Sequence, residues 1–265
     1  MAVVAAAVAV LLAASGAGPA VDRFPDAAPS YLVAVDGEVL WERAPDAPRP
    51  PASLAKILAA LVVLEDPPEA GWLRVGARAA AETGSRIGLR SGEEIRVADA
   101  LAAMLVASAN DACRALAERE PGGSTAFVSR MNRRATALGL RATRIVDPCG
   151  HDARGQRTTA RDLLVLTRAA LASAEFRRIV ALPEVRLSTR AGRVLAAPTS
   201  NALLGRLPGA DGVKTGFTPQ AGKCVVASAR RDGREVLVVL LGAPDRWWTA
   251  AALVERAFAE APPRG

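Results

Sequence analysis

Pro51-Ala52-Ser53-Leu54-Ala55-Lys56-Ile57-Leu58-Ala59-Ala60-Leu61-Val62 is the stretch where an extended chain start gives way to a core-forming segment. Leu54, Ile57, Leu58, Leu61 and Val62 recur at helical spacing until Pro67-Pro68 stops them, which predicts a helix with one core-facing stripe. Upstream, the apolar runs Tyr31 to Val35 and Glu38 to Trp41 meet at Asp36-Gly37, a dipeptide that accepts the positive φ of a tight hairpin. Downstream, helical patterns cover 97–107, 111–119, 124–138 and 160–172. Period-two patterns then return at 185–187, 194–196, 212–217, 223–229 and 235–241, with a second hairpin at Asp232-Gly233 and a last helix at 247–258. Strands at both ends of a helical middle imply an α/β (α+β) fold: an antiparallel β-sheet flanked by helices, with a helical lobe inserted over about 68–180.

The 265 residues, 51% of them apolar, can bury one large core, and one domain over 21–265 is expected. Residues 2–14 are uncharged and apolar and are followed by small residues at Ser15 to Gly18. This run is too short to span a bilayer and reads as an export signal over 1–20, although it lacks a basic leading segment. The net charge of +7 lies wholly after it, on arginines scattered without interleaved aromatics, so nucleic-acid binding is not expected. Cys113, Cys149 and Cys224 are odd in number and far apart, which gives neither a paired framework nor a metal-ligand spacing. Buried thiols are the expectation, with one disulfide open in an oxidising compartment. No metal and no cofactor is implied.

Only three lysines stand against 31 arginines, at positions 56, 214 and 223. Arginine cannot lose its proton in a protein, whereas a desolvated lysine can become a neutral amine, so a base role excludes arginine. Lys56 follows Ser53 by three residues, which places both on one face at a helix start, where the helix dipole disfavours a second positive charge. Ser-x-x-Lys alone is a weak signal, but two further groups follow in order. Ser108-Ala109-Asn110 sits at a helix-to-helix corner, where Asn110 or Asp111 could equally serve as a helix cap. Lys214-Thr215-Gly216 lies in an extended run ending at Phe217: Lys214 and Thr215 offer charge and hydroxyl to a carboxylate, and Gly216 leaves room for a peptide to pair as an added strand.

At these residues the sequence resembles the low-molecular-mass penicillin-binding proteins, the serine-type D-alanyl-D-alanine carboxypeptidases and their endopeptidase relatives. The likeness extends through Gly84-Ser85, Gly88-Leu89, Ser108 to Cys113, Met131-Asn132, Leu138-Gly139-Leu140, Thr159 to Asp162 and Asp211 to Gly222, covering about 30–258. The resemblance implies a DD-peptidase/β-lactamase-like fold and an acyl-enzyme mechanism on peptidoglycan stem peptides, with β-lactam antibiotics as inhibitors. It also implies roles: Ser53 as nucleophile, Lys56 as base, Ser108 as proton relay and Asn110 as holder of the substrate amide. Lys214 and Thr215 would bind the terminal carboxylate beside Arg246, and the Ser53 and Phe217 N–H groups would form an oxyanion hole.

The sequence departs from the family at Cys149-Gly150-His151-Asp152, where a Gly-Leu pair is usual, and it stops after the catalytic region. No stable membrane anchor is therefore expected, and a DD-endopeptidase is the alternative to the carboxypeptidase. A class A β-lactamase is disfavoured because no Glu with a following Leu-Asn signature lies between the second and third motifs. A Ser-His-Asp hydrolase would need His151, the only histidine, without a Gly-x-Ser-x-Gly elbow. A non-catalytic wall-binding homologue is opposed by the intact motifs.

Overall fold

The computed structural model describes residues 22–65 and 71–261. The segment expected to be an export signal lies outside the described residues. Strands β1 (Ser30–Val35) and β2 (Glu38–Arg43) open the chain, and a single 3-10 turn over Ala52–Leu54 leads into helix α1 (Ala55–Glu65). Next come β3 (Trp72–Arg74), α2 (Ala77–Ala80), β4 (Glu94–Arg96), α3 (Val97–Val106), α4 (Asn110–Arg119), α5 (Gly123–Ala137), α6 (Ala160–Leu171) and α7 (Ala174–Val180). The chain returns to strands in β5 (Glu184–Ser188), β6 (Val194–Pro198), β7 (Ala210–Thr218), β8 (Gly222–Arg231) and β9 (Arg234–Ala243), and helix α8 (Arg246–Glu260) follows.

The antiparallel sheet runs β2-β1-β9-β8-β7, so the first hairpin pairs with the last strands and β7 is left as an edge. In β9, Val236, Val238 and Leu240 point to a cluster under α8, while Leu237, Val239 and Leu241 point to the larger core around α1 and the helical middle. A strand covered on both faces loses its polar alternation, which explains the unbroken apolar run Val236–Leu241. Both predicted hairpins form, with positive φ at Asp36, Gly37, Asp232 and Gly233.

Some expectations change. The single apolar stripe predicted for α1 is wrong: Ala55 through Val63, Lys56 included, are all buried. With sheet, α3, α5 and α6 all in contact with it or its neighbours, α1 is the central helix, and a helix apolar all round belongs in that place. The two-stranded β3–β4 sheet and helices α2 and α7 were not foreseen, being too short for periodicity to reveal. The buried-thiol expectation also fails for two cysteines: Cys113 on α4 is disulfide-bonded to Cys149, with Cα atoms 5.7 Å apart, and Cys224 is buried as a thiol. Thirty-six residues separate the pair, a distance that only tertiary folding closes.

Candidate active site

Ser53 lies in the 3-10 turn, and Lys56 falls in the first turn of α1, so local geometry alone brings their side chains together. Lys56 Nζ is 2.9 Å from Ser53 Oγ, 2.7 Å from Asn110 Oδ1 and 2.6 Å from the Cys149 carbonyl oxygen. The last two groups can only accept hydrogen bonds. A neutral amine therefore donates its two N–H bonds to them and is left with its lone pair toward the Ser53 hydroxyl, which then donates. Lys56 is 0% exposed, and burial brings its pKa from 10.5 down to about 7, against the opposing pull of the Asp147 and Glu82 carboxylates. The amine is thus poised to accept a proton near neutral pH.

Neither the Asn110 nor the Asp111 side chain caps α4; the cap is Ala109, without a side-chain bond. Asn110 instead donates Nδ2–H to the Thr83 carbonyl while its oxygen holds Lys56. The Asp111 carboxylate accepts from the backbone N–H groups of Ile87, Gly88 and Leu89, fixing the strip that carries Gly84 and Ser85 along one wall of the cleft. Ser108 lines the cleft at φ +59°, and among the described residues no hydrogen bond joins it to Lys56 or Ser53. Ala52, just before Ser53, is also left-handed at φ +48°. Two non-glycine residues of the site thus adopt this conformation, and such local strain persists only where surrounding packing enforces it.

The opposite wall is the free edge of β7. A Cβ built on Gly216 would lie 3.2 Å from Ser53 N and 3.0 Å from Ala52 Cβ, so glycine lets the strand approach the Ser53 backbone. Thr215 Oγ1 is 2.9 Å from Ser200 Oγ, and Phe217 is 61% exposed at the cleft rim. Lys214, also buried, donates to the Thr215 carbonyl; burial, then Lys56 and Arg246, hold its pKa well below the usual lysine value. Arg246 donates to the Gly216 carbonyl at 2.7 Å and lies over the Trp247 ring. The cleft, about 340 Å³, brings Ser53, Ser108, Asn110, Thr215, Gly216, Phe217 and Arg246 onto one surface, with Lys56 and Lys214 directly behind. Its lining contains no carboxylate and carries the Arg246 guanidinium, with two buried amines behind that an arriving anion helps to charge, so its electrostatics suit an anionic group.

Sequence reasoning missed the Cys149 carbonyl, Ser200 and Glu82. The first is a backbone atom, invisible to side-chain motifs; the other two sit in no motif. His151 Nε2 is 2.7 Å from Glu82 Oε2, and Arg114 pairs with both Glu82 and Asp147. Burial pushes the Asp147 carboxyl up, but the hydrogen bond and charge of Arg114 outweigh it and hold the group below its usual value. Asp147 Oδ1 accepts from the N–H groups of Cys149, Gly150 and His151, and so shapes the loop beside Ser53. A Cβ on Gly150, at φ +92°, would lie 2.0 Å from the Ala52 carbonyl oxygen. Gly150→Ala is expected to push the Ser53 turn aside and cut β-lactam acylation about a hundredfold, since misplacement by about 1 Å has that cost. Stopped-flow acylation kinetics on the folded variant check this.

The family described as D-alanyl-D-alanine carboxypeptidase matches residues 25–245. The D-alanyl-D-alanine carboxypeptidase DacF of Bacillus subtilis is 32% identical over 212 residues, covering 78% of this chain and 54% of the relative, so the chain spans about half that protein's length. A D-alanyl-D-alanine endopeptidase of Pseudomonas aeruginosa is 35% identical over 216 residues, covering 78% of this chain and 68% of the relative. Among solved structures, the penicillin-binding protein homologue Rv2911 of Mycobacterium tuberculosis superposes with a TM-score of 0.84 at 32% identity, covering 95% of this chain and 97% of that one.

Proposed function

Because the chain belongs to the D-alanyl-D-alanine carboxypeptidase family of serine peptidases, we propose that it removes the terminal D-alanine from peptidoglycan stem peptides through an acyl-enzyme on Ser53. The observation that carries this reading is the buried Lys56 amine 2.9 Å from the Ser53 hydroxyl, with its other two contacts taken by pure acceptors. The Ser53 oxygen attacks the penultimate D-alanine carbonyl while its proton passes to Lys56. The carbonyl oxygen gains charge beside the backbone N–H groups of Ser53 and Phe217. The C–N bond then breaks, and Ser108 passes the proton from Lys56 to the departing amine. Water then attacks the ester while Lys56 takes its proton, and Lys56 returns that proton to the Ser53 oxygen as the acyl bond breaks.

The terminal carboxylate of the substrate supplies the negative charge that the cleft lining lacks. Lys214, Thr215 and Arg246 receive it, and its approach favours the charged form of Lys214. Asn110 Nδ2 and the edge of β7 hold the peptide alongside. No described helix is long and apolar enough to cross a membrane. Export to the periplasm or wall space is supported by the substrate class and by the Cys113–Cys149 disulfide, which persists in oxidising compartments.

Cleavage of D-Ala-D-Ala cross-links is the second reading, favoured by the endopeptidase relative. A pentapeptide ending in D-Ala-D-Ala and a cross-linked muropeptide dimer, assayed side by side, separate the two. Free D-alanine from the pentapeptide is expected; conversion of the dimer alone would establish the second reading, and no reaction with either would sink both.

A further inference from the structure

Both acceptors that orient the Lys56 amine depend on one helix. Asn110 is the first residue of α4, and Cys113, one turn further on, is bonded to Cys149, whose carbonyl is the other acceptor. We propose that the Cys113–Cys149 disulfide is a positioning device for the catalytic base: it fixes the Cys149 carbonyl in the frame of α4, so that both N–H bonds of Lys56 are aimed by one rigid body and its lone pair falls on Ser53.

Cys149 borders the cleft beside Gly150, and Cys113 lies on α4. Cys113 is 0% exposed and Cys149 1%. The loop is also held by the Asp147 carboxylate, which is tied to α4 through Arg114, the neighbour of Cys113, by His151 against Glu82, by Gln156, which donates to the His151 carbonyl, and by Asp152, which accepts from Thr218. Within residues 148–150 the other holds are the N–H groups of Cys149 and Gly150 on Asp147, the Lys56 contact with the Cys149 carbonyl and the close fit of Gly150 against Ala52, so the disulfide is the covalent tie of Cys149 to α4. Loosening there opens the Lys56 pocket to water. The charged groups facing Lys56 are Asp147 and Glu82, which favour the ammonium, and Arg114 and Lys214, which oppose it, with His151 against Glu82 and Arg246 beyond Lys214. Because desolvation is the largest influence on Lys56, hydration favours its charged form more than loss of one carbonyl contact disfavours it.

The inference rests on Lys56 being the base for Ser53, and a double variant Cys113→Ala/Cys149→Ala tests it. Acylation by benzylpenicillin is expected to fall about tenfold at pH 7 and to recover by pH 9, its rising limb displaced to higher pH. A profile superposing on that of the unaltered protein, or one lowered equally at every pH, would overturn the positioning role, the latter by showing a merely structural one. The second readout does not depend on turnover. With three lysines in the chain, lysine labelled with ¹⁵N at the side chain yields at most three titrating signals, and the Lys56 signal, identified by its loss in Lys56→Met, is expected to titrate at higher pH in the double variant. An unmoved titration rejects the inference even if the protein acylates normally. A moved titration in a protein whose Ser53 never acylates rejects the functional reading and leaves the disulfide's hold on Lys56 standing.

Discussion

Incubated with benzylpenicillin, the protein is expected to gain one covalent adduct, carried on the peptide containing Ser53, and Ser53→Ala is expected to gain none. Loss of a serine nucleophile with its activating base intact removes on the order of 10⁴-fold or more of the acylation rate, because nucleophile and base act as a unit. The substitution deletes one hydroxyl at a cleft surface and disturbs no core residue, so the variant remains folded and the comparison is clean. The adduct is expected to outlast the acylation phase, since the cleft lining carries no carboxylate of the kind that speeds deacylation in class A β-lactamases. Intact-protein mass spectrometry followed by peptide mapping reads both points; an adduct on another residue, or rapid steady turnover of nitrocefin, would contradict them.

Replacing Lys56 separates charge from basicity. Lys56→Arg keeps a cation but cannot become neutral, and Lys56→Met keeps the approximate length without a nitrogen; both are expected to lose about 10³-fold in acylation, within the usual range for a general base. In the unaltered protein the acylation rate should rise with pH through about 7, as Lys56 gives up its proton. The same group burdens the fold. Between pH 7 and 10.5 the unfolded chain holds a proton on Lys56 that the folded protein does not, so stability increases with pH across that window and the cost is fully present below about 7. A displacement of this size is worth on the order of 4 kcal/mol, partly offset by the hydrogen bonds the amine makes. Lys56→Met is therefore expected to be about 1–3 kcal/mol more stable than the unaltered protein at pH 7, with the advantage shrinking as pH rises and reversing before pH 10.5, where only the lost hydrogen bonds remain. Urea unfolding at the two pH values checks the sign; a variant less stable at pH 7 would show that the hydrogen bonds outweigh the burial of the amine.

Much of the site was legible because its decisive pair is local. Ser53 and Lys56 are three residues apart, and one helical turn suffices to join them whatever the rest of the chain does. The scarcity of lysine set Lys56 and Lys214 apart from the 31 arginines. The hairpins at Asp36-Gly37 and Asp232-Gly233 were readable for the same reason, since turn chemistry resides in two residues.

What only the tertiary structure decided lies across long separations. The contacts of Lys56 with Asn110 and the Cys149 carbonyl span 54 and 93 residues, and they arise because α4 and the 147–152 loop both pack onto the buried first turn of α1. No spacing rule relates those segments, and one of the two acceptors is a backbone atom common to every residue type. The sequence by itself therefore determined that Ser53 and Lys56 meet, through the local geometry of one helical turn. Packing around α1 determined how the amine is stripped of water, which acceptors aim it, and which two cysteines close behind it, because burial and direction belong to the assembled core.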